Sequence, residues 1–437
     1  MGRLSRRRFV AVAAAGAVTA WGASACGDSQ PSTRSGSKSK EFTLWSFWSE
    51  GEPNQLVLAE AIKDFTSATG VRVKPQWKGR NAMQALLPAL NTQNVPADII
   101  EGNGSQLTTI FAPTGQAMDL AEVYAAKVPG ESGTVADVVG AAYKGIGTSD
   151  DGVLAMVPYQ VSTYAWFYDG KAFPELASQP PQTWEDFTAL LDEQKAKKRR
   201  PVAQDGSVPG YNAYYIQHFA RALAGDEAWV AAFTDRTGEA WRGAEFRKAA
   251  EHVERFAKAD YFLAGFNASK FPAMQQKWAA GESDFLFGGT WLPRETQPYA
   301  KKGFEYVSFP FPSVEGKQPT LNVATFGFGI PKKAKNAEPA KEFIAFFLQK
   351  KYQDKIASVA KEMSVRTDVK AAPIVALAKQ SLDSGHVNRA RTPPEFSDFS
   401  AKVLSPLNDR LLFGTITAEE FSTGMVTAAA KFWKARR

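Results

Sequence analysis

Ala280-Gly281-Glu282-Ser283-Asp284-Phe285-Leu286-Phe287-Gly288-Gly289-Thr290-Trp291 compresses a helix end, a strand and a loop into one short stretch. Ser269 to Ala280 reads as a helix, and Gly281 closes it because glycine takes the left-handed conformation a helix end favours. Asp284 to Phe287 then reads as a short buried strand. Gly288 and Gly289 let the backbone turn at the strand's end and project Trp291.

Outward from this stretch, strands and helices alternate, as in an α/β protein. Toward the N-terminus, Phe42 to Trp45, Val71 to Val73 and Ala97 to Ile100 read as strands. Between the first two, Pro53 opens a helix with Leu58, Ile62 and Phe65 on one face, and Gly70 stops it. Met83, Leu86, Leu87 and Leu90 form another helical face, interrupted by Pro88. Val153 to Val157 and Tyr164 to Tyr168 read as two strands separated by residues 158–163. Thr183-Trp184-Glu185-Asp186 has the form of a capping box, and the helix behind it buries Trp184, Phe187, Leu190 and Leu191. Phe246, Ala249, Val253 and Phe256 mark a further amphipathic helix, and Pro339 starts one with Phe343, Ile344 and Phe347 inward. No internal repeat is visible.

The chain has 437 residues, 44% of them hydrophobic, enough for two or three domains. Its formal charge of +7 includes four arginines within residues 1–25, which hold no acid, so the remainder carries only +3. The longest basic run, Lys195 to Arg200, ends an expected helix, where cations suit the dipole. Nucleic acid is therefore not expected as a partner. One cysteine, Cys26, excludes an intrachain disulfide, and His218, His252 and His386 are too few and too scattered for a Cys/His zinc site. Neither a metal nor a cofactor is expected.

Residues 1–25 read as an address rather than part of the fold. Ser5-Arg6-Arg7-Arg8-Phe9 matches the twin-arginine export signal, an uncharged Ala/Gly-rich stretch follows, and Ala23-Ser24-Ala25-Cys26 resembles a lipobox. Ala23 stands where Leu or Val is usual. Residues 26–40 offer no apolar side chain to bury and read as a flexible tether.

The order of features resembles the family 1 extracellular solute-binding proteins, the maltodextrin-binding-protein-like receptors of carbohydrate ABC importers. Four segments carry the likeness, which runs from about Phe42 to Trp433. The first is Trp45, Phe47 and Trp48, then a helix, then Thr69 to Val73. The second is Gly152 to Tyr159, with Phe167-Tyr168-Asp169 after it. The third is the opening stretch, similar to G-x-x-A-M-x-x-x-G-x-W, with Asp284 and Phe285 in place of the small residue and methionine. The fourth is Phe328 to Asn336, followed by Ala340 to Ile344.

The resemblance implies a two-lobed α/β fold of the periplasmic-binding-protein type II class, with a central ligand cleft and three crossings, near residues 161–163, 322–326 and 362–366. Lobe 1 is expected over 41–160 plus 324–364, and lobe 2 over 161–323 plus 365–437. It implies a monomer that closes on a carbohydrate and presents it to ABC importer permease subunits, tethered to the membrane by lipid on Cys26.

A sugar needs flat apolar surfaces and a few fixed polar groups. Trp291 is placed at the cleft by the resemblance. Trp48 and Glu50 lie in the loop after the first strand, where α/β clefts gather ligands. Tyr159, between a strand and a crossing, suits cleft or packing equally. Asn103 bonds hydroxyls or makes the turn between two glycines. Arg80 offers paired donors or a free surface charge, and Phe326 flanks a crossing. The same fold binding a polyamine, metal chelate or phosphorylated compound stays open. A glycoside hydrolase would need two carboxylates across a cleft, and no G-x-S-x-G, H-E-x-x-H or complete Walker sequence appears.

Replacing Cys26 by serine should release the protein from membranes with ligand binding intact. Membrane fractionation checks this, and continued membrane retention would refute the anchor.

Overall fold

The computed structural model describes residues 40–149, 151–385, 387, 393 and 395–436. The expected export signal with Arg6 and Arg7, Cys26, nearly all of the tether, and His386 lie outside the described residues.

Among the described residues nine strands form one mixed sheet path: β1 (Glu41–Ser46), β2 (Arg72–Trp77), β3 (Ile99–Asn103), β4 (Val157–Asp169), β5 (Val202–Ala203), β6 (Phe285–Gly289), β7 (Tyr306–Phe309), β8 (Val323–Gly329) and β9 (Met363–Ser364). The order is β2-β1-β3-β8-β4-β6-β5, with β7 and β9 also on β4. On the N-terminal side β1 runs parallel to β2 and β3, joined by helical crossovers that parallel pairing requires. On the other side β5 and β6 are parallel.

β4 corrects the sequence reading. Residues 158–163 do not separate two strands; they continue one strand of 13 residues. Its first part pairs with β8 and β9, and its second with β6 and β7. The polar residues that suggested a break are buried with partners. Ser162 Oγ donates to Glu362 Oε2 at 3.0 Å and Thr163 Oγ1 to Asn322 O at 2.6 Å. Burial without such bonds would cost roughly 1–3 kcal/mol per group. The three segments expected as crossings fall on β4, β8 and β9, which lie side by side.

Each half of the sheet has its own aromatic packing. Beside β1, Phe42 and Phe65 meet Phe343, with ring centroids 5.7 and 5.3 Å from it. Beyond β4, Trp166 is fully buried, with Phe187 and Phe287 at 4.5 and 4.9 Å. Thr183 and Asp186 form the expected capping box on the helix Trp184–Ala196, although Leu190 is only partly buried. The helix expected from Ser269 is shorter, Ala273–Ala279, because Pro272 precedes it; Gly281 follows at φ +88°. Asp284, the departure from the family pattern, takes Arg199 in a two-oxygen bond at 2.8 and 2.9 Å. Other cations of that basic run cap backbone carbonyls: Lys195 on Ala259 and Arg200 on Asp260. His218 and His252 stack on Phe311 and Phe219 as packing residues, and burial pushes His218 down to about 4.

Candidate functional site

The site grows from the loop after β1. Glu101, on β3 and fully buried, gathers that loop: Ser46 Oγ and the Phe47 N–H donate to Oε2 at 2.8 and 2.9 Å. The Tyr159 hydroxyl donates to Oε1 at 2.9 Å and accepts from Trp48 Nε1 at 2.8 Å. Burial outweighs these bonds and pushes the Glu101 carboxyl up to about 7. Tyr159 also packs on Phe328 and Phe347, and through its hydroxyl it positions Trp48.

Trp48 itself is only 2% exposed. Phe326 on β8 lies 4.8 Å from its ring and Phe47 5.2 Å. Arg80 spreads over Phe47 and Trp48 at 4.7 and 5.2 Å, held by Glu52 at 2.8 Å. Asn103, in register with Phe326, uses Oδ1 to accept from the Ser105 N–H and hydroxyl at 2.9 and 2.7 Å, which is a turn-making role. Glu50 is exposed in the neighbouring loop. The structure thus brings Trp48, Arg80, Tyr159 and Phe326 together, with Asn103 and Glu50 at the edge.

Trp291 stands apart from these, following β6. Its ring is partly buried and meets Tyr164 edge-on at 5.8 Å; Tyr164 in turn lies 4.3 Å from Tyr214, and Tyr214 5.4 Å from Tyr211. The two glycines before it serve close approach rather than a turn. A Cβ on Gly289 would lie 2.1 Å from the Trp291 ring, and one on Gly288 2.5 Å from Leu292. The indole lies back along its own strand.

Arg294, three residues on in the short helix Leu292–Thr296, connects the two groups. Its guanidinium sits 5.6 Å over the Trp48 ring. Its Nη1 is 3.9 Å from Glu362 Oε1. Glu362, fully buried just before β9, accepts from Ser162 and from Thr290 Oγ1 at 3.2 Å, and burial pushes it up to about 7. Sequence reasoning missed Phe47, Tyr164, Tyr211, Tyr214, Arg294 and both buried carboxyls. The i, i+3, i+7 spacing of Tyr211, Tyr214 and His218 on one helix was a usable signal. Among the described residues no group of three His, Cys, Asp or Glu side chains is placed to hold a metal ion, and no helix is long and apolar enough to cross a membrane.

The arrangement sets two aromatic groups along β4, with the Arg294 guanidinium reaching from one to the other. It suits a ligand with apolar ring faces and a polar rim. Comparison with known proteins agrees with that chemistry. The family model described as bacterial extracellular solute-binding protein matches residues 60–380. The diacetylchitobiose binding protein NgcE of Streptomyces coelicolor is 24% identical over 59% of this chain, and the chain spans only 55% of that relative's length. A second diacetylchitobiose binding protein of that organism, DasA, is 24% identical over 81% of this chain and 80% of its own. Among solved structures, the bacterial solute receptor AcbH, described as having an exclusive substrate preference for β-D-galactopyranose, superposes with a TM-score of 0.70 at 18% identity, covering 90% of this chain and 98% of AcbH. The fold is the two-lobed α/β fold of the periplasmic-binding-protein type II class.

Glu362 yields a pH prediction. Its carboxyl titrates near 7 when folded and near 4.5 when unfolded, so the folded state holds a proton that the unfolded state has released. This contribution is complete below about pH 4.5, falls as pH rises toward 7, and changes no further above that. Glu362→Gln keeps a carbonyl oxygen for both hydroxyls and does not titrate. Relative to wild type, the variant should gain thermal stability between pH 5 and pH 8, and parallel melting profiles would refute the assignment.

Proposed function

The chain belongs to the bacterial extracellular solute-binding protein family, and from that premise we propose that it captures a sugar between its two lobes and delivers it to an ABC importer. The observation that carries the reading is the pairing of two aromatic groups across β4. Trp48, Phe47 and Phe326 gather where β4 pairs with β8, and Trp291, Tyr164 and Tyr214 where β4 pairs with β6. Aromatic planes take the C–H faces of pyranose rings, while Arg80 and Glu50 supply polar contacts at the rim. The names of the relatives, which bind diacetylchitobiose, support a carbohydrate.

The finer reading follows the sequence. Lobe 1 comprises 41–160 plus 324–364, and lobe 2 comprises 161–323 plus 365–437. They bend about β4, β8 and β9, since three adjacent strands resist separation yet allow hinge rotation. The protein is a monomer, exported by the twin-arginine route and held at the outer face of the membrane by lipid on Cys26. It binds its ligand without chemical change: the two buried carboxyls nearest the aromatic groups, Glu101 and Glu362, are engaged by neighbouring hydroxyls.

A thermal-shift screen tests the class of ligand. At a concentration one hundred times its Kd, a ligand of the native state adds about 2.7 kcal/mol. Diacetylchitobiose, galactose or another sugar should raise the melting temperature and be recovered unchanged, whereas stabilisation by polyamines or phosphates alone would overturn the reading. The site residue is tested separately by Gly289→Ala, whose added methyl displaces the Trp291 ring. Calorimetric affinity for the sugar found should fall about tenfold, or about 1.4 kcal/mol, while apo melting should fall by a few degrees only, since Trp291 is partly exposed.

A further inference from the structure

Trp48 has ample apolar surface, and in this structure almost none of it meets solvent. Besides Tyr159, which accepts from its indole N–H, four side chains lie against its ring, and their origins differ. Phe47 is its chain neighbour, Arg80 follows β2, and Phe326 lies on β8, paired with β3. These three belong with β1. Arg294 alone reaches over from the segment after β6.

The way Arg294 is held also differs. Arg80 is fixed by a 2.8 Å bond to Glu52 as well as by its rings. Arg294 has no comparable anchor: its buried Nη1 finds no hydrogen-bond partner, and Glu362 at 3.9 Å is beyond bonding distance. Its contacts are therefore the ring face and a charge at longer range. Glu362 feels the Arg294 charge but keeps two direct hydrogen bonds of its own, from Ser162 and Thr290. The side chain is thus placed on the platform, lightly held and replaceable.

We infer that Arg294 guards the Trp48 platform: in the sugar-free protein its guanidinium occupies the place over the indole that a pyranose ring takes on binding, and the ligand must displace it. The inference rests on the sugar-capture reading given above. A pyranose can take the guanidinium's place with a C–H face for the indole, and the displaced side chain regains solvent for the donor it leaves unpaired in the sugar-free protein. Arg294 then sets specificity, because a ligand without such a face gains nothing by expelling it. It also sets affinity, since apparent binding is weakened by the fraction of molecules in which the platform is taken.

Hydroxyl-radical footprinting of the ligand-free full chain, read by mass spectrometry, tests occupancy without needing any ligand. In Arg294→Met, oxidation of Trp48 should rise several-fold over wild type, with the core residue Trp166 equally protected in both as the check on folding. Arg294→Gln provides a second variant with a polar end. In calorimetry, the sugar found by the screen should bind Arg294→Met about two- to thirtyfold more tightly, the range a cation–π contact spans. Unchanged Trp48 oxidation overturns the inference, and so does weaker sugar binding, which would make Arg294 an ordinary ligand contact. If no sugar binds wild type, the sugar-capture reading fails and the inference with it, whereas unchanged oxidation in a protein that does bind sugar removes the guard alone.

Discussion

One strand holds both halves of this molecule together. β4 is buried along nearly its whole length, gives its first residues to β8 and β9 and its last to β6 and β7. Backbone hydrogen bonds inside a buried sheet are expensive to break unreplaced, so the halves cannot part along this line. On the proposed reading they bend about it. Everything placed on the two sides of β4 therefore faces its counterpart at a controlled distance, and the site inherits its geometry from that constraint.

Two buried carboxyls set the local detail, one on each approach to β4. Glu101 draws the β1 loop and Tyr159 together, so the Trp48 indole is fixed through a Trp48–Tyr159–Glu101 chain of hydrogen bonds. Glu362 joins Ser162 of β4 to Thr290 beside Trp291. Neither carboxyl need contact ligand to matter. Both hold the aromatic side chains in place, and low dielectric surroundings make each of these hydrogen bonds consequential. Between them lies Arg294, a cation set over one group's indole while it belongs to the other's helix.

Much of the fold was legible because local signals agreed. The Thr183 capping box, the Phe246 to Phe256 face and the short strand ending at Gly289 all appear, within a few residues, where period and cap chemistry put them. The continuity of β4 was not legible. Pro158, Gln160, Ser162 and Thr163 look like a break, and only partners as distant as Glu362, 200 residues from Ser162, make them suitable for burial. The same reason hid Glu101, whose role depends on Tyr159, 58 residues away. Trp48 was picked out for its place after the first strand and Phe326 for flanking a crossing, and the structure sets their rings 4.8 Å apart. Arg294 gave no periodic signal, since its helix is one short turn. Gly288 and Gly289 were singled out rightly but for the wrong reason: they admit Leu292 and Trp291 to close contact.

The central claim is that a sugar lies between the two halves of the sheet, touched by both. A crystal structure of the complex with the best-stabilising sugar tests it most directly. The account predicts a ring against Trp48 on the β1 side and contact with Trp291 or Tyr164 on the β6 side, with the Arg294 guanidinium moved off the indole. A sugar bound to one half alone, or on an outer face, with Arg294 still over Trp48, would contradict it.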